Sequence, residues 1–78
     1  MNTGRMNTPA TILIIEDEAK IASLLRDYLQ KIGGYQTHWE ARGDEALKAF
    51  RDVSPDLVLL DLMLPGMDGL EVCKAIRL

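Results

Sequence analysis

The chain has 78 residues, a net charge of −3, a pI near 4.9, and 47% hydrophobic residues. That suits one small globular domain, which at this size buries only about 60% of its unfolded surface. The nine Lys and Arg are scattered, which excludes a nucleic-acid surface, and no apolar run is long enough to span a membrane. The N-terminus lacks the basic-then-apolar profile of a signal peptide. Cys73 is the single cysteine, so no internal disulfide forms, and a cytoplasmic setting is expected. One His and one Cys cannot furnish a zinc site of His and Cys ligands within one chain.

Met1 to Ala10 is polar, carries Gly4 and Pro9, and shows no periodicity, so residues 1–10 are expected to be a flexible tail. Thr11 to Ile15 is β-branched and apolar, and reads as a first buried strand. Glu16, Asp17 and Glu18 crowd three acids at its end. The period then changes. Ile21, Leu24, Leu25, Tyr28, Leu29 and Ile32 fall on one apolar face of a helix about three turns long, and Gly33 and Gly34 stop it. Tyr35 to Trp39 alternates, with Tyr35, Thr37 and Trp39 on one side, as in an edge strand. Trp39 reads as packing and His38 as surface. Gly43 and Asp44 start a second helix, with Ala46, Leu47, Ala49 and Phe50 inward, and Ser54 and Pro55 end it.

The stretch PDLVLLDLMLPGMDG follows, Pro55 to Gly69. Leu57 to Leu60 is wholly apolar and suits a parallel strand buried on both faces. Asp61 comes next, a lone carboxylate among Leu and Met. Burying an unpaired charge costs several kcal/mol, so such a residue needs a cation or hydrogen bonds. Pro65, Gly66 and Gly69 enforce a turn, and Leu70, Cys73 and Ile76 space a third helix. Cys73 reads as a small core residue rather than a nucleophile. The order β-α-β-α-β-α implies an α/β fold with a parallel sheet and right-handed crossovers. Such sheets collect ligands at the carboxyl ends of their strands. If the first and third strands are neighbours, Glu16 and Asp17 lie beside Asp61.

Three carboxylates held together repel, and each drifts toward protonation unless a cation intervenes. Hard oxygen ligands without sulfur or imidazole are what magnesium prefers, with several waters retained. A carboxylate can also be a nucleophile toward phosphorus, giving an aspartyl phosphate, and Asp61 suits that role. The structural alternative is that the acids favour the first helix through its dipole, a role left to Glu18. A magnesium-dependent phosphatase is a rival, but its second Asp, two positions on, is Met63 here. A dinucleotide-binding half-domain would need glycines where Glu16, Asp17 and Glu18 stand.

The segments ILIIEDE (Ile12 to Glu18), GDEAL (Gly43 to Leu47) and PDLVLLDLMLPGMDGLEVCKAIR (Pro55 to Arg77), taken together, resemble the receiver domain of bacterial two-component response regulators. The wording is most similar to the OmpR/PhoB-type transcription-factor subfamily, whose receiver precedes a winged-helix DNA-binding domain. The resemblance implies a flavodoxin-like sheet of strand order 2-1-3, with residues 11–78 forming the N-terminal part of a receiver. It implies a phosphoryl acceptor rather than an enzyme, with Asp61 taking its phosphoryl group from a sensor histidine kinase. It also implies that Asp17 and Asp61 coordinate Mg2+ directly, that Met63 adds a main-chain carbonyl, and that Glu16 acts through a metal-bound water. The Pro65 to Gly69 turn would shape the pocket rim.

Receivers of that family have five strand–helix units, and these residues supply three. The Ser or Thr of the fourth strand and the Lys of the fifth, which engage the phosphoryl group, are not among them. The chain is therefore expected to be a fragment with impaired switching that binds no nucleic acid directly. The far edge of the third strand, flanked by Leu and Val, is expected to pair with another copy in a homodimer or higher oligomer. The alternative function is a non-catalytic interaction or oligomerisation module derived from a receiver.

Overall fold

The computed structural model describes residues 9–61 and 69–77. Six elements follow in order: β1 (Thr11–Ile15), α1 (Ala19–Gly33), β2 (Gln36–Glu40), α2 (Gly43–Val53), β3 (Leu57–Leu60) and α3 (Gly69–Arg77). The sheet is parallel with order β2-β1-β3. The β-α-β-α-β-α order and the 2-1-3 parallel sheet are those expected from the sequence. The β1 strand is the central one, paired with β2 on one side and β3 on the other, and Ile12 to Ile15 are all buried.

Alternate residues of β1 serve opposite faces. Leu13 and Ile15 join Ala46, Ala49 and Val72 in one core, flanked by Leu47, Phe50, Val58, Leu60 and Ile76. The helices α2 and α3 therefore lie on that face. On the other face, Thr37 accepts hydrogen bonds from Arg26 Nε (3.2 Å) and Gln30 Nε2 (3.1 Å), which tie α1 to β2. The α1 helix ends on Gly34, whose φ of 63° is left-handed. The Gly34 amide donates to the Gln30 carbonyl and the Tyr35 amide to that of Leu29, the paired arrangement that closes many helices.

Three expectations about burial need correction. The helix over Ile21 to Ile32 exists, but Ile21, Leu24, Tyr28 and Ile32 are 43 to 69% exposed. Only Ala22 is buried in α1, with Leu25 and Leu29 half-buried. The six-residue apolar stripe is thus wider than the contact it makes. The β3 run is not buried on both faces: Leu57 is 52% exposed, because β3 pairs only with β1 among the described residues. In α3, Leu70 is exposed while Val72 is fully buried, and Cys73 is half-buried. The α2 helix lies against α3 and draws in the face bearing Val72 and Ile76.

Candidate functional site

Parallel registers bring the acids together. Ile15 stands opposite both Glu40 and Leu60, so Glu16 and Asp61 are each the next residue beyond the paired strands. The ladder continues one bond further on each side: the Glu16 amide donates to the Glu40 carbonyl (3.0 Å) and the Asp61 amide to the Ile15 carbonyl (2.9 Å). Asp17 follows where β1 gives way to the Glu18 N-cap of α1. Each of Glu16, Asp17 and Asp61 offers a carboxylate oxygen, and these oxygens all lie within 4.8 Å of one another. Glu16 and Asp61 are half-buried and Asp17 is exposed.

The electrostatics are those of a crowded anionic cup. Burial pushes the Glu16 carboxyl above its ordinary range, and the charges of Asp61 and Asp17 push it the same way. The Glu18 amide, which donates to Glu16 Oε2 (3.1 Å), pulls in the opposite direction. Glu18 itself makes no side-chain cap bond and sits outside the cluster. Three hard oxygen donors at this spacing fit one divalent cation that also keeps waters. An open groove of about 510 Å³ leads from the cup between α1 and β3, walled by Ile14, Ile21, Leu25 and Leu59.

Met63 lies outside the described residues, as do Pro65 to Asp68 of the turn and Met1 to Thr8 of the tail. His38 is half-buried and pairs with Glu40 Oε2 (3.2 Å), away from the cup. One contact at the site was not foreseen. The Trp39 indole N–H donates to the Glu16 carbonyl at 2.6 Å. The alternating pattern of β2 placed Trp39 in a strand, but its polar tip meets Glu16 only through the β1–β2 register.

The chain is similar to known regulators along most of its length. It is 52% identical over 71 residues to the transcriptional regulatory protein BaeR of Escherichia coli, covering 91% of this chain and 29% of that protein. To the transcriptional regulatory protein ResD of Bacillus subtilis it is 48% identical over 66 residues, covering 85% of this chain and 27% of that protein. It superposes on the BeF3-activated receiver domain of Klebsiella pneumoniae RstA with a TM-score of 0.82 at 40% identity, covering 86% of this chain and 56% of that one. It superposes on the response regulator TrrA of Thermotoga maritima, in complex with Mg(2+)-BeF, with a TM-score of 0.81 at 44% identity, covering 87% and 58%. The chain thus spans under a third of the curated relatives and little more than half of those solved chains. The response regulator receiver domain model matches residues 12–78. On the acidic cup, the 2-1-3 sheet and these matches, the chain belongs to the receiver domains of two-component response regulators.

Proposed function

We propose that Asp61 is the phosphoacceptor of this receiver and that Asp17, Asp61 and Glu16 hold Mg2+ beside it, Glu16 through a water and Met63 through its main-chain carbonyl. The observation that carries this reading is the convergence of the three carboxylates at the carboxyl ends of β1 and β3. An Asp61 carboxylate oxygen attacks the phosphorus of a phosphohistidine on a sensor kinase. The P–N bond breaks, the imidazole leaves, and an aspartyl phosphate remains. The bound cation supplies charge neutralisation for the transferring group. Glu16 and Asp17 fix the cation's side of the cup, and the Asp61 amide bond to Ile15 holds the acceptor's backbone. The same proposal places residues 1–10 as a tail and 11–78 as the N-terminal part of a cytoplasmic receiver. In a longer protein, this receiver would control a DNA-binding output domain and transcription.

The test uses a small phospho-donor with and without magnesium chloride. We expect the intact chain to gain one acid-labile phosphoryl group, Asp61→Asn to gain none, and the modification to be slow or short-lived. Slow or short-lived modification is expected because the Lys that pairs with the phosphoryl group in the family is not among these residues. Modification that survives in Asp61→Asn would remove the acceptor assignment. Ready, long-lived modification would remove the claim of impairment.

A second reading is favoured by the apolar surface: a receiver-derived interaction module that assembles as a homodimer or higher oligomer over β3. Leu57 on the β3 edge and the α1 stripe support it. Light scattering at high micromolar concentration is expected to show a dimer or larger. A compact monomer there rules this reading out.

A further inference from the structure

We infer that Trp39 is the positioning residue of the acidic cup: its indole N–H, by holding the Glu16 carbonyl, sets the direction in which Asp17 offers its carboxylate. This inference rests on the proposed reading of the cup as a magnesium site. Trp39 stands opposite Ile14, two residues before Glu16, or about 6.6 Å back along β1. The β2 strand ends at Glu40, so the Glu16 carbonyl lies just past the paired part of the sheet. The indole reaches forward and donates to it at 2.6 Å. A peptide unit is planar, so fixing the Glu16 oxygen also fixes the plane that carries the Asp17 amide.

Glu16 is held in two further ways. Its amide donates to the Glu40 carbonyl, and its carboxylate accepts from the Glu18 amide. Without the indole, the peptide between Glu16 and Asp17 would lose the tie that links it to β2. The body of Trp39 is half-buried and lines a cleft with Ala19, Ser23, Arg26 and Gln30 of α1. One side chain thus joins β2, α1 and the cup. Among natural residues, Trp alone combines this reach with an apolar body and a single donor at its tip.

The experiment compares three versions of the 78-residue chain: wild type, Trp39→Phe, and a chain carrying 3-benzothienylalanine at position 39. In the last, sulfur replaces the N–H and the ring shape is kept. Magnesium chloride is titrated while the Asp17 and Asp61 amide resonances are followed, and urea midpoints are read in parallel. Both altered chains are expected to bind Mg2+ about tenfold more weakly, the usual order for losing an outer partner of a metal ligand. The benzothienyl chain is expected to keep the wild-type urea midpoint. The single indole N–H of the wild type is expected to exchange slowly and to shift together with the Asp17 amide. Equal Mg2+ affinity in the wild-type and benzothienyl chains overturns the inference and leaves the cup intact, as does an indole N–H that exchanges like free indole. A lowered urea midpoint with unchanged affinity means packing only, and also overturns it. If Trp39→Phe does not fold, the benzothienyl chain and the exchange rate decide. A wild type with no Mg2+ response sinks the magnesium reading of the cup, and this inference with it.

Discussion

On one side of β1, Leu13 and Ile15 lie beneath α2 and α3 in a core whose buried members come from three elements. On the other, Ile12 and Ile14 are buried just as fully, yet α1 leaves Ile21, Leu24, Tyr28 and Ile32 in solvent. The strand is the same and all three helices are amphipathic in pattern. The difference lies in what stands beside each helix. The α2 and α3 helices pack against one another and share Ala46, Ala49 and Val72 between them. Among the described residues, α1 has the sheet but no neighbouring helix. Covering a sheet takes one narrow contact line, whereas closing a core takes a second layer of side chains around it.

The strongest way to break this comparison is to truncate one residue on each side. Leu13→Ala should lower stability by about 3 kcal/mol, the usual order for a fully buried leucine, and leave so small a domain near unfolding. Leu24→Ser should change stability by less than about 0.5 kcal/mol. Urea unfolding of the two variants checks this, and similar losses in both would mean that α1 is closed in solution. Leu24→Ser should also reduce any self-association seen by light scattering.

A smaller effect sharpens the comparison at the seam where both sides meet the cup. The Glu16 carboxyl is raised above its ordinary range, so the folded state holds that proton more tightly than the unfolded chain. Its contribution is therefore neutral below the unfolded pKa. As pH rises through the raised folded-state pKa, ionising Glu16 costs stability. Denaturation curves of wild type and Glu16→Gln should diverge over that window, with the variant becoming relatively more stable. Added magnesium should narrow the gap. A variant that becomes relatively less stable with rising pH would mean the cup stabilises the anion by itself.

The smallest effect belongs to the rim of the closed side. Arg42 Nε and Nη2 donate to the two Asp44 carboxylate oxygens at 2.9 and 3.0 Å, and hold that carboxyl below its usual range. The contribution is present above the unfolded pKa and lost as pH falls through the folded one. The pair is exposed and screened, so Arg42→Ala should shift the urea midpoint slightly, and not at all in high salt. A shift that persists in high salt would point to lost packing instead.

The six elements and their order were legible because period and punctuation change sharply at Glu16, Gly33, Ser54 and Asp61. Boundaries were less so: β2 runs from Gln36 to Glu40, one residue later than the alternation suggested. Burial was the least legible quantity, because it depends on neighbours. The spacing of Leu70, Cys73 and Ile76 is as helical as that of Val72 and Ile76, and α2 decides between them. The acids of the cup were legible because strand ends in a parallel sheet share one edge. The Trp39 contact was not, since it depends on the register between two strands that are 25 residues apart in sequence.

At the end of the sheet opposite the cup, the Thr11 amide donates to Asp56 Oδ2 (2.8 Å) while the Asp56 amide donates to the Thr11 carbonyl (2.8 Å). This reciprocal latch is a zero mark for two rulers of equal length. Counting five residues up each strand, about 16 Å, reaches Glu16 on one and Asp61 on the other. A slip of one notch would swing the Asp61 side chain to the wrong face, so an aspartate far from any chemistry keeps the two acids in step.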